Sequence, residues 1–280
     1  MNCQTLLNKA TNILKDNSII NPTLDSEILL SSVLRITREK LLLNLEKKIT
    51  DKEIKKFDFV IEKRKKKEPL AYILGKKEFW KTNFLINKNV LIPRPDTEIL
   101  VEEALNCLKI DRKYQVLDVG TGSGCILISV LKERKKSKGI GIDISKDAIH
   151  TAKTNAKIQQ LENRIRFIHS DIDKFYGTKY DLILSNPPYI STLNLRELSE
   201  DIRNYEPILA LDGGSNGYSK IIKVIEKSSK LIKIKGKLIL EIGIGQLNKS
   251  MEILRLNGFF INKVSKDLAG TNRCILSTKI

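Results

Sequence analysis

The chain has 280 residues, of which 41% are hydrophobic and 30% are charged. This composition excludes a disordered chain and predicts a soluble globular protein long enough for two domains. Lys and Arg outnumber Asp and Glu by 50 to 33, and the net charge of +17 favours an anionic partner such as RNA or a ribosome-associated protein. The basic residues are spread along the chain without interleaved aromatic residues, so we expect at most a weak contact with RNA or the ribosome.

The cysteines and histidines indicate no metal site. The four cysteines lie far apart without a Cys-x-x-Cys pair, which favours a reducing cytoplasm over a disulfide framework. His150 and His169 have no Cys, Asp or Glu pattern around them that is typical of metal ligands. The chain does not open on a signal-peptide core, and no apolar run approaches the length that spans a bilayer. We therefore expect a cytoplasmic protein without a metal.

Residues 1–75 predict a small helical domain. Apolar residues recur with a helical period in two segments, which Asn21-Pro22-Thr23 separates. Thr50 and Glu53 form a capping box that opens a further helix running towards Lys67. This bundle carries no catalytic constellation, so we expect it to recognise a partner or to cover a site.

Residues 76–95 predict a hairpin linker between two domains. Two short apolar segments, Glu78-Phe79-Trp80 and Asn83-Phe84-Leu85-Ile86, have the strand character of a hairpin. The prolines that follow stiffen the entry to a helix, which Asp96 or Thr97 is expected to cap.

Residues 96–280 predict an α/β domain, because apolar strands and helical segments alternate along them. We expect a doubly wound, mainly parallel seven-stranded sheet of the Rossmann-like type. Gly236 is expected to form a chain reversal before the fifth strand, and Gly258 one before the sixth. The predicted strands lie near residues 115–119, 138–143, 164–169, 179–185, 236–243, 259–265 and 272–279.

A glycine-rich turn follows the first of these strands and leads into an apolar helix. Its residues are Gly120, Thr121, Gly122, Ser123 and Gly124. Glycines let the backbone approach a ligand, and Asp143 at the end of the next strand can accept hydrogen bonds from both ribose hydroxyls. The turn lacks the Gly-x-Gly-x-x-Gly spacing for a pyrophosphate, while Asp118 suits a ligand with an amino group. The pattern therefore favours S-adenosylmethionine over a dinucleotide.

A second loop, Asn186-Pro187-Pro188-Tyr189, follows the fourth strand. The two prolines carry no backbone N–H, so this loop offers mostly carbonyl acceptors, to which Asn186 adds its side-chain carbonyl. Tyr189 adds a flat face for a planar group. A planar group bearing an NH2 fits such a loop, and a glutamine amide, an adenine and a cytosine all qualify. The carboxyl ends of parallel strands share one edge, so the two loops and Asp143 are expected to converge on one cleft.

These segments give the chain a resemblance to a known family, the N5-glutamine methyltransferases that modify peptide chain release factors. The resemblance runs over nearly the whole chain. It rests on Pro69-Leu70-Ala71-Tyr72-Ile73-Leu74-Gly75, Phe79-Trp80, Ile92-Pro93-Arg94-Pro95-Asp96-Thr97-Glu98, Leu117 to Gly124, Ser185 to Tyr189, Arg203-Asn204-Tyr205-Glu206-Pro207, Ala210 to Gly214 and Gly270-Thr271-Asn272-Arg273.

The resemblance implies a class I methyltransferase that moves a methyl group from S-adenosylmethionine to the glutamine of a Gly-Gly-Gln motif. It places the glycine turn, Asp143 and Asn186 on the cofactor, and Asn186, Pro187, Pro188 and Tyr189 on the glutamine. Of the latter, Asn186, Pro187 and Tyr189 are the expected catalytic residues. It also places Asp171 and Ile172 beside the adenine, where family members often carry an aromatic residue in place of Ile172.

Three alternatives fit parts of the sequence. A DNA adenine or cytosine amino-methyltransferase shares the Asn-Pro-Pro-Tyr loop, but no DNA-reading motif is recognisable here. A ribosomal protein glutamine methyltransferase would use identical chemistry. A non-catalytic RNA- or ribosome-binding module accounts for the charge and leaves the cofactor and substrate loops unexplained.

Overall fold

The computed structural model describes residues 1–280, which form two compact units. The first unit contains residues 1–75 together with residues 199–205, and the second contains residues 76–198 and 206–280. The segment 76–95, predicted as a linker, thus belongs by its contacts to the second unit. None of the helices combines the length and the apolar character needed to cross a bilayer.

The first unit is helical. Its elements are α1 (Cys3–Asp16), α2 (Pro22–Leu34), α3 (Arg38–Leu42), α4 (Asp51–Lys65), α5 (Leu70–Leu74) and, from later in the chain, the short helix Glu200–Tyr205. The predicted capping box is confirmed, because Thr50 and Glu53 each bond the other's backbone N–H. The leucines, isoleucines and Phe57 that recur on the helices are buried together. The Tyr205 hydroxyl donates to the Lys66 carbonyl at 2.7 Å, which joins the short helix to this unit.

The second unit begins with the predicted hairpin, β1 (Lys76–Phe79) and β2 (Thr82–Leu85). Trp80 and Lys81 form its two-residue turn with φ values of 45° and 60°, as a hairpin turn that follows the strand twist requires. Phe79 and Phe84 are fully buried and meet edge to face, with ring centroids 6.2 Å apart.

A seven-stranded sheet forms the centre of this unit. Its strands are β3 (Gln115–Val119), β4 (Lys138–Asp143), β5 (Ile165–His169), β6 (Tyr180–Ser185), β7 (Ile232–Glu241), β8 (Phe259–Lys266) and β9 (Asn272–Lys279). The order is β5-β4-β3-β6-β7-β9-β8, in which β9 alone runs antiparallel to both neighbours. The predicted fold class is confirmed, and the chain crosses from β5 to β6 past β3, which opens a crevice at the carboxyl edge.

Helices cover both faces of the sheet. They are α6 (Glu98–Cys107), α7 (Cys125–Glu133), α8 (Lys146–Ile158), α10 (Ser219–Leu231) and α11 (Leu247–Leu256). The Glu200–Tyr205 helix of the first unit is numbered α9. Central strands are apolar on both faces because both are covered, and Leu117, Ile183 and Leu238 are fully buried. Each such side chain stabilises the fold by about 1.5–3 kcal/mol through burial.

Two local predictions were wrong. Gly236 lies inside β7, because the strand begins at Ile232 and continues through an irregularity at Lys235, whose φ is 63°. A Cβ at Gly236 would lie 2.8 Å from the Lys233 carbonyl, so the glycine permits close backbone approach within the strand. Thr97 occupies the N-cap position of α6, but its side chain makes no capping hydrogen bond, because a 3-10 turn, Pro95–Thr97, leads directly into that helix. The turn expected at Gly258 is confirmed, with φ at 73°.

Candidate active site

A cavity of about 200 Å³ lies at the carboxyl ends of β3, β4 and β6. It contains most of the residues that the sequence pointed to, and its remaining wall comes from residues 89–91, 207–210 and 220–224. The sequence-predicted residues that line it are Gly120, Gly122, Asp143, Asp171, Ile172, Asn186, Pro187 and Pro188.

The glycine turn presents bare backbone to this cavity. Gly120 and Gly122 have φ values of 73° and 55°, and a Cβ added to either would meet no atom within 4 Å. The backbone N–H groups of Gly120 and Thr121 both donate to the Ile142 carbonyl, which fixes the turn to β4. Open space beside a rigid backbone is what a closely bound ligand requires.

Three residues of the turn, Thr121, Ser123 and Gly124, do not line the cavity. The Thr121 hydroxyl donates to Oδ2 of Asp118 at 2.6 Å. Ser123 is buried, and its carbonyl accepts from the Asn155 side chain at 2.9 Å. Gly124 has φ at 80° and packs so closely that a Cβ would lie 3.0–3.2 Å from Ile128, Phe167 and Ala152. Their visible role is to hold the turn in shape.

Asp118, which the sequence favoured as a partner for a ligand amino group, is buried in β3 and also does not line the cavity. Its Oδ1 has no hydrogen-bond partner. Burial raises its pKa to about 7, against the hydrogen bond from Thr121, which lowers it. Its carboxyl group acts on the site through Thr121.

Asp143 ends β4 and lines the cavity. Oδ2 accepts from the Gly122 N–H and Oδ1 from the Ser145 N–H, each at 2.9 Å. Burial raises its pKa, and these two donors act in the opposite direction. Each carboxylate oxygen has a further lone pair, so the group can still accept two hydroxyls while it holds the turn.

Asp171 and Ile172 form the next part of the wall. Oδ1 of Asp171 accepts from the Asp173 N–H at 3.0 Å and caps the 3-10 turn Ile172–Lys174. Ile172 is 8% exposed and packs into the main core cluster, so it offers the cavity an aliphatic surface. A flat ligand group can pack on this surface without aromatic stacking.

Asn186 lines the cavity and is held by a hydrogen bond to Thr97, a residue outside the cavity lining. Its Nδ2 donates to Oγ1 of Thr97 at 3.1 Å, which leaves its Oδ1 as a carbonyl acceptor. Pro187 and Pro188 follow along the same wall and contribute no N–H. This stretch of the wall therefore offers no backbone N–H from Pro187 or Pro188.

Tyr189 does not line this cavity, in contrast to Asn186, Pro187 and Pro188. Its hydroxyl lies 3.5 Å from Oε1 of Glu241, and its ring packs against the core. Burial, reinforced by Glu241, raises its pKa to about 12, so it remains a neutral phenol. It borders a second cavity, of about 430 Å³, which Arg273 also lines. The first cavity therefore does not include the flat face expected of Tyr189.

Sequence reasoning did not predict four buried polar side chains as part of the site, and it expected of Thr97 only that it could cap a helix. Asn155 bonds both backbone groups of Leu85 as well as the Ser123 carbonyl. Glu206 accepts from the Ile92 N–H at 3.1 Å and pairs with Arg94. The remaining two are Thr97 and Glu241. The sequence contained a signal for three of the four. Thr97 and Glu206 lie in the motifs on which the family resemblance rests, and Glu241 is the acidic residue that ends an apolar strand.

Two family models match the chain in the order of its units. The PrmC N-terminal domain matches residues 5–75, and a methyltransferase domain matches residues 110–258. Among solved structures, a methyltransferase from Pyrococcus furiosus aligns with a TM-score of 0.52 at 19% identity, covering 70% of this chain and 89% of that one. The ribosomal protein L11 methylase of Lactobacillus delbrueckii gives 0.51 at 20% identity, with coverage of 67% and 81%. These two likenesses concern the fold alone.

Curated relatives cover almost the whole chain. The release factor glutamine methyltransferase of Clostridium acetobutylicum is 38% identical, with 100% of this chain and 99% of that protein aligned. That of Caulobacter vibrioides is 35% identical, with 95% and 92% aligned. A bifunctional methyltransferase of Rickettsia felis is 37% identical over 98% of this chain, which spans only 58% of that longer protein.

The Rossmann-like sheet, the open glycine turn and the methyltransferase domain match define a class I methyltransferase fold. Within this class, the chain belongs to the release factor glutamine methyltransferase family.

Proposed function

We propose that this chain transfers a methyl group from S-adenosylmethionine to the side-chain amide nitrogen of a glutamine in peptide chain release factors. The observation that carries the proposal is that the acceptor-rich Asn186 and Pro187 line the same cavity as the open glycine turn and Asp143. The proposed acceptor is the glutamine of a Gly-Gly-Gln motif, and the proposed location is the cytoplasm beside the translation machinery; membership in the family supports both.

The cavity fits S-adenosylmethionine in its chemistry. Gly120 and Gly122 would take the amino-acid portion against bare backbone, Asp143 would accept the ribose hydroxyls, and Ile172 would pack on the adenine. Thr121, Ser123 and Gly124 would support that turn from behind. When bound, S-adenosylmethionine supplies an electrophilic methyl group on a sulfonium centre.

The protein's part is to align a weak nucleophile. An amide nitrogen shares its lone pair with the carbonyl, so orientation is decisive, and such alignment can contribute about 7–11 kcal/mol. Oδ1 of Asn186 and the Pro187 carbonyl would each accept one N–H of the substrate amide. The negative ends of the same carbonyl dipoles stabilise the positive charge that develops on the nitrogen. Because these carbonyls are fixed before the reaction, they need not reorganise as the charge forms. The nitrogen then loses a proton to water, and no histidine lines the cavity to act as a base.

The helical unit has a role in this proposal as well. Residues 5–75 match the N-terminal domain model of the family. We assign to residues 1–75 recognition of the protein substrate, and we assign to the basic surface no more than a weak contact with RNA or the ribosome.

The test is methyl transfer from labelled S-adenosylmethionine to four acceptors in parallel. These are a release factor, its Gly-Gly-Ala variant, a glutamine-bearing ribosomal protein and duplex DNA. We expect label on the release factor and none on its alanine variant. Label only on the ribosomal protein or only on DNA would overturn the proposed substrate and identify one of the two alternative methyltransferases.

A further inference from the structure

The Asn186 side chain has two ends of opposite hydrogen-bonding character. An acceptor site for an NH2 group requires Oδ1 to face the cavity, because Nδ2 in that place would present N–H against N–H. The observed contact, Nδ2 to Oγ1 of Thr97 at 3.1 Å, does not fix this by itself. A threonine hydroxyl can donate or accept, so Thr97 could satisfy either end of the amide.

Glu241 removes this ambiguity. It ends β7, is 1% exposed, and as a carboxylate can only accept hydrogen bonds. Glu241 directly follows Leu240, which pairs with Ser185, so it lies on the strand beside the one that leads into Asn186. Its Oε2 is buried without a hydrogen-bond partner and lacks a donor, while its Oε1 lies 3.5 Å from the Tyr189 hydroxyl. The Thr97 hydroxyl acts on the pKa of Glu241 as a nearby donor and lowers it. A Thr97 hydroxyl that directs its single hydrogen to this carboxylate can only accept from Asn186.

We propose that Thr97 and Glu241 are positioning residues that fix the Asn186 amide with its Oδ1 facing the cavity, ready to accept an N–H from the substrate. The inference deepens the proposed function and rests on it for the identity of the substrate. In the proposed arrangement Asn186 donates to Thr97, as observed, and Thr97 directs its hydrogen to Glu241. A proton on Glu241 would allow it to donate to Thr97, and the amide could then turn over.

The surroundings of Glu241 make this protonation accessible near neutral pH. Burial is the main cause that raises its pKa to about 7, and Asp96 acts in the same direction. Arg273 and the hydroxyls of Thr97 and Tyr189 favour the ionised form. Cys274 lies opposite on β9, and burial keeps its thiol protonated. The amide should therefore be correctly oriented above pH 7 and lose this constraint below it.

A direct test follows the Asn186 side-chain NH2 by ¹⁵N NMR, with the signal assigned from its loss in Asn186→Ala. In the wild type we expect the signal to titrate with a midpoint near pH 7. Glu241→Gln should abolish the titration, because no proton can be gained there. A signal that does not change between pH 6 and 8, or one that titrates equally in Glu241→Gln, would overturn the inference. This experiment needs no substrate, so its outcome is separate from that of the proposed function.

A kinetic test uses a matched pair at Thr97 with whichever acceptor the wild type methylates. Thr97→Val removes the hydroxyl and should lower kcat by roughly one to two orders of magnitude, the scale of a misplaced reacting group. Thr97→Ser keeps the hydroxyl and should retain most of the activity. Calorimetric binding of S-adenosylmethionine should be the same in both and so verify that they fold.

A double variant separates positioning from a general loss of structure. If Thr97 acts through Asn186, then Asn186→Ala with Thr97→Val should be no slower than Asn186→Ala alone. The positioning role would be contradicted if the double variant were slower than Asn186→Ala by the full factor that Thr97→Val causes alone. Full activity of Thr97→Val would contradict it as well.

Discussion

The polar side chains at the cavity are held in place by neighbours within the protein. Asp143 accepts two backbone N–H groups, and Asn186 donates to Thr97. Side chains fixed in this way do not have to reorganise when a ligand binds, which lowers the cost of aligning it. At this scale the site is a set of acceptors with predetermined directions.

Replacement of Asn186 by alanine removes the side-chain acceptor and leaves the glycine turn untouched. We expect kcat to fall by about 100-fold or more, the scale of a lost orienting group, with little change in the Kd for S-adenosylmethionine. Steady-state kinetics and calorimetry would measure the two. Asn163→Ala is the control, since Asn163 is exposed and does not line the cavity. A weakened Kd with normal turnover at saturation would show that Asn186 acts on the cofactor instead.

Replacement of Asp143 by alanine should weaken the binding of S-adenosylmethionine rather than lower kcat. Lost hydrogen bonds to a charged acceptor cost about 1.5–3 kcal/mol, which corresponds to a Kd for S-adenosylmethionine raised roughly 10- to 150-fold. Turnover at saturating cofactor should change far less. Asp147→Asn, at an exposed position just after β4, is the control. An unchanged Kd measured by calorimetry would exclude Asp143 from the cofactor site.

At the scale of elements, Asn155 of α8 connects two segments that are distant in sequence. It bonds the Leu85 N–H and carbonyl at the end of β2, and it also donates to the Ser123 carbonyl of the glycine turn. The side chain is 1% exposed, so its hydrogen bonds are formed away from water. The hairpin is therefore part of the support of the turn.

Asn155→Ala would leave these backbone groups unsatisfied. We expect the free energy of unfolding to fall by about 1–3 kcal/mol, the cost of a buried polar group without a partner. The Kd for S-adenosylmethionine should rise as well, because the turn loses an anchor. Urea denaturation and calorimetry measure the two effects. Thr154→Ala removes only a local bond to His150 on the same helix and serves as the control; equal behaviour of the two variants would refute the role of Asn155.

At the scale of the whole molecule, Asp118 and Glu241 link stability to pH. Burial raises both pKa values to about 7, from 3.8 and 4.5 respectively. Between about pH 4 and 7 the folded protein retains protons that the unfolded chain has lost, so the free energy of unfolding falls as pH rises through this window. Above pH 7 their contribution becomes constant.

Asp118→Asn should make the stability less dependent on pH. The fall in unfolding free energy between pH 5 and pH 8 should be smaller than in the wild type by about 1 kcal/mol or more, since one pKa unit corresponds to about 1.4 kcal/mol. Urea denaturation at the two pH values measures it, with Asp111→Asn at an exposed position as the control. An identical pH dependence in Asp118→Asn and the wild type would show that Asp118 is ionised in the fold throughout.

Local sequence patterns were sufficient to predict much of the fold and part of the candidate site. The central strands could be located because both faces of the sheet are covered there, which makes each of them a short apolar run. The loops at the ends of β3, β4 and β6 could be predicted to meet because parallel strands place their carboxyl ends on one edge. Gly236 was misread because a glycine in a strand irregularity and a glycine in a turn look alike in sequence.

The fold class, the cofactor loop and the acceptor-rich loop could be predicted from sequence, because they depend on residue types within a few positions of each other. Which of those residues line the cavity became known from the three-dimensional fold, in which Thr121, Ser123 and Tyr189 do not line it. It also brought Thr97 to Asn186 from 89 positions away, and it placed Glu241, 55 positions away, on the strand beside the one that leads into Asn186. The direction of a side chain and the partner it meets across the core depend on packing between elements, and no local pattern encodes them.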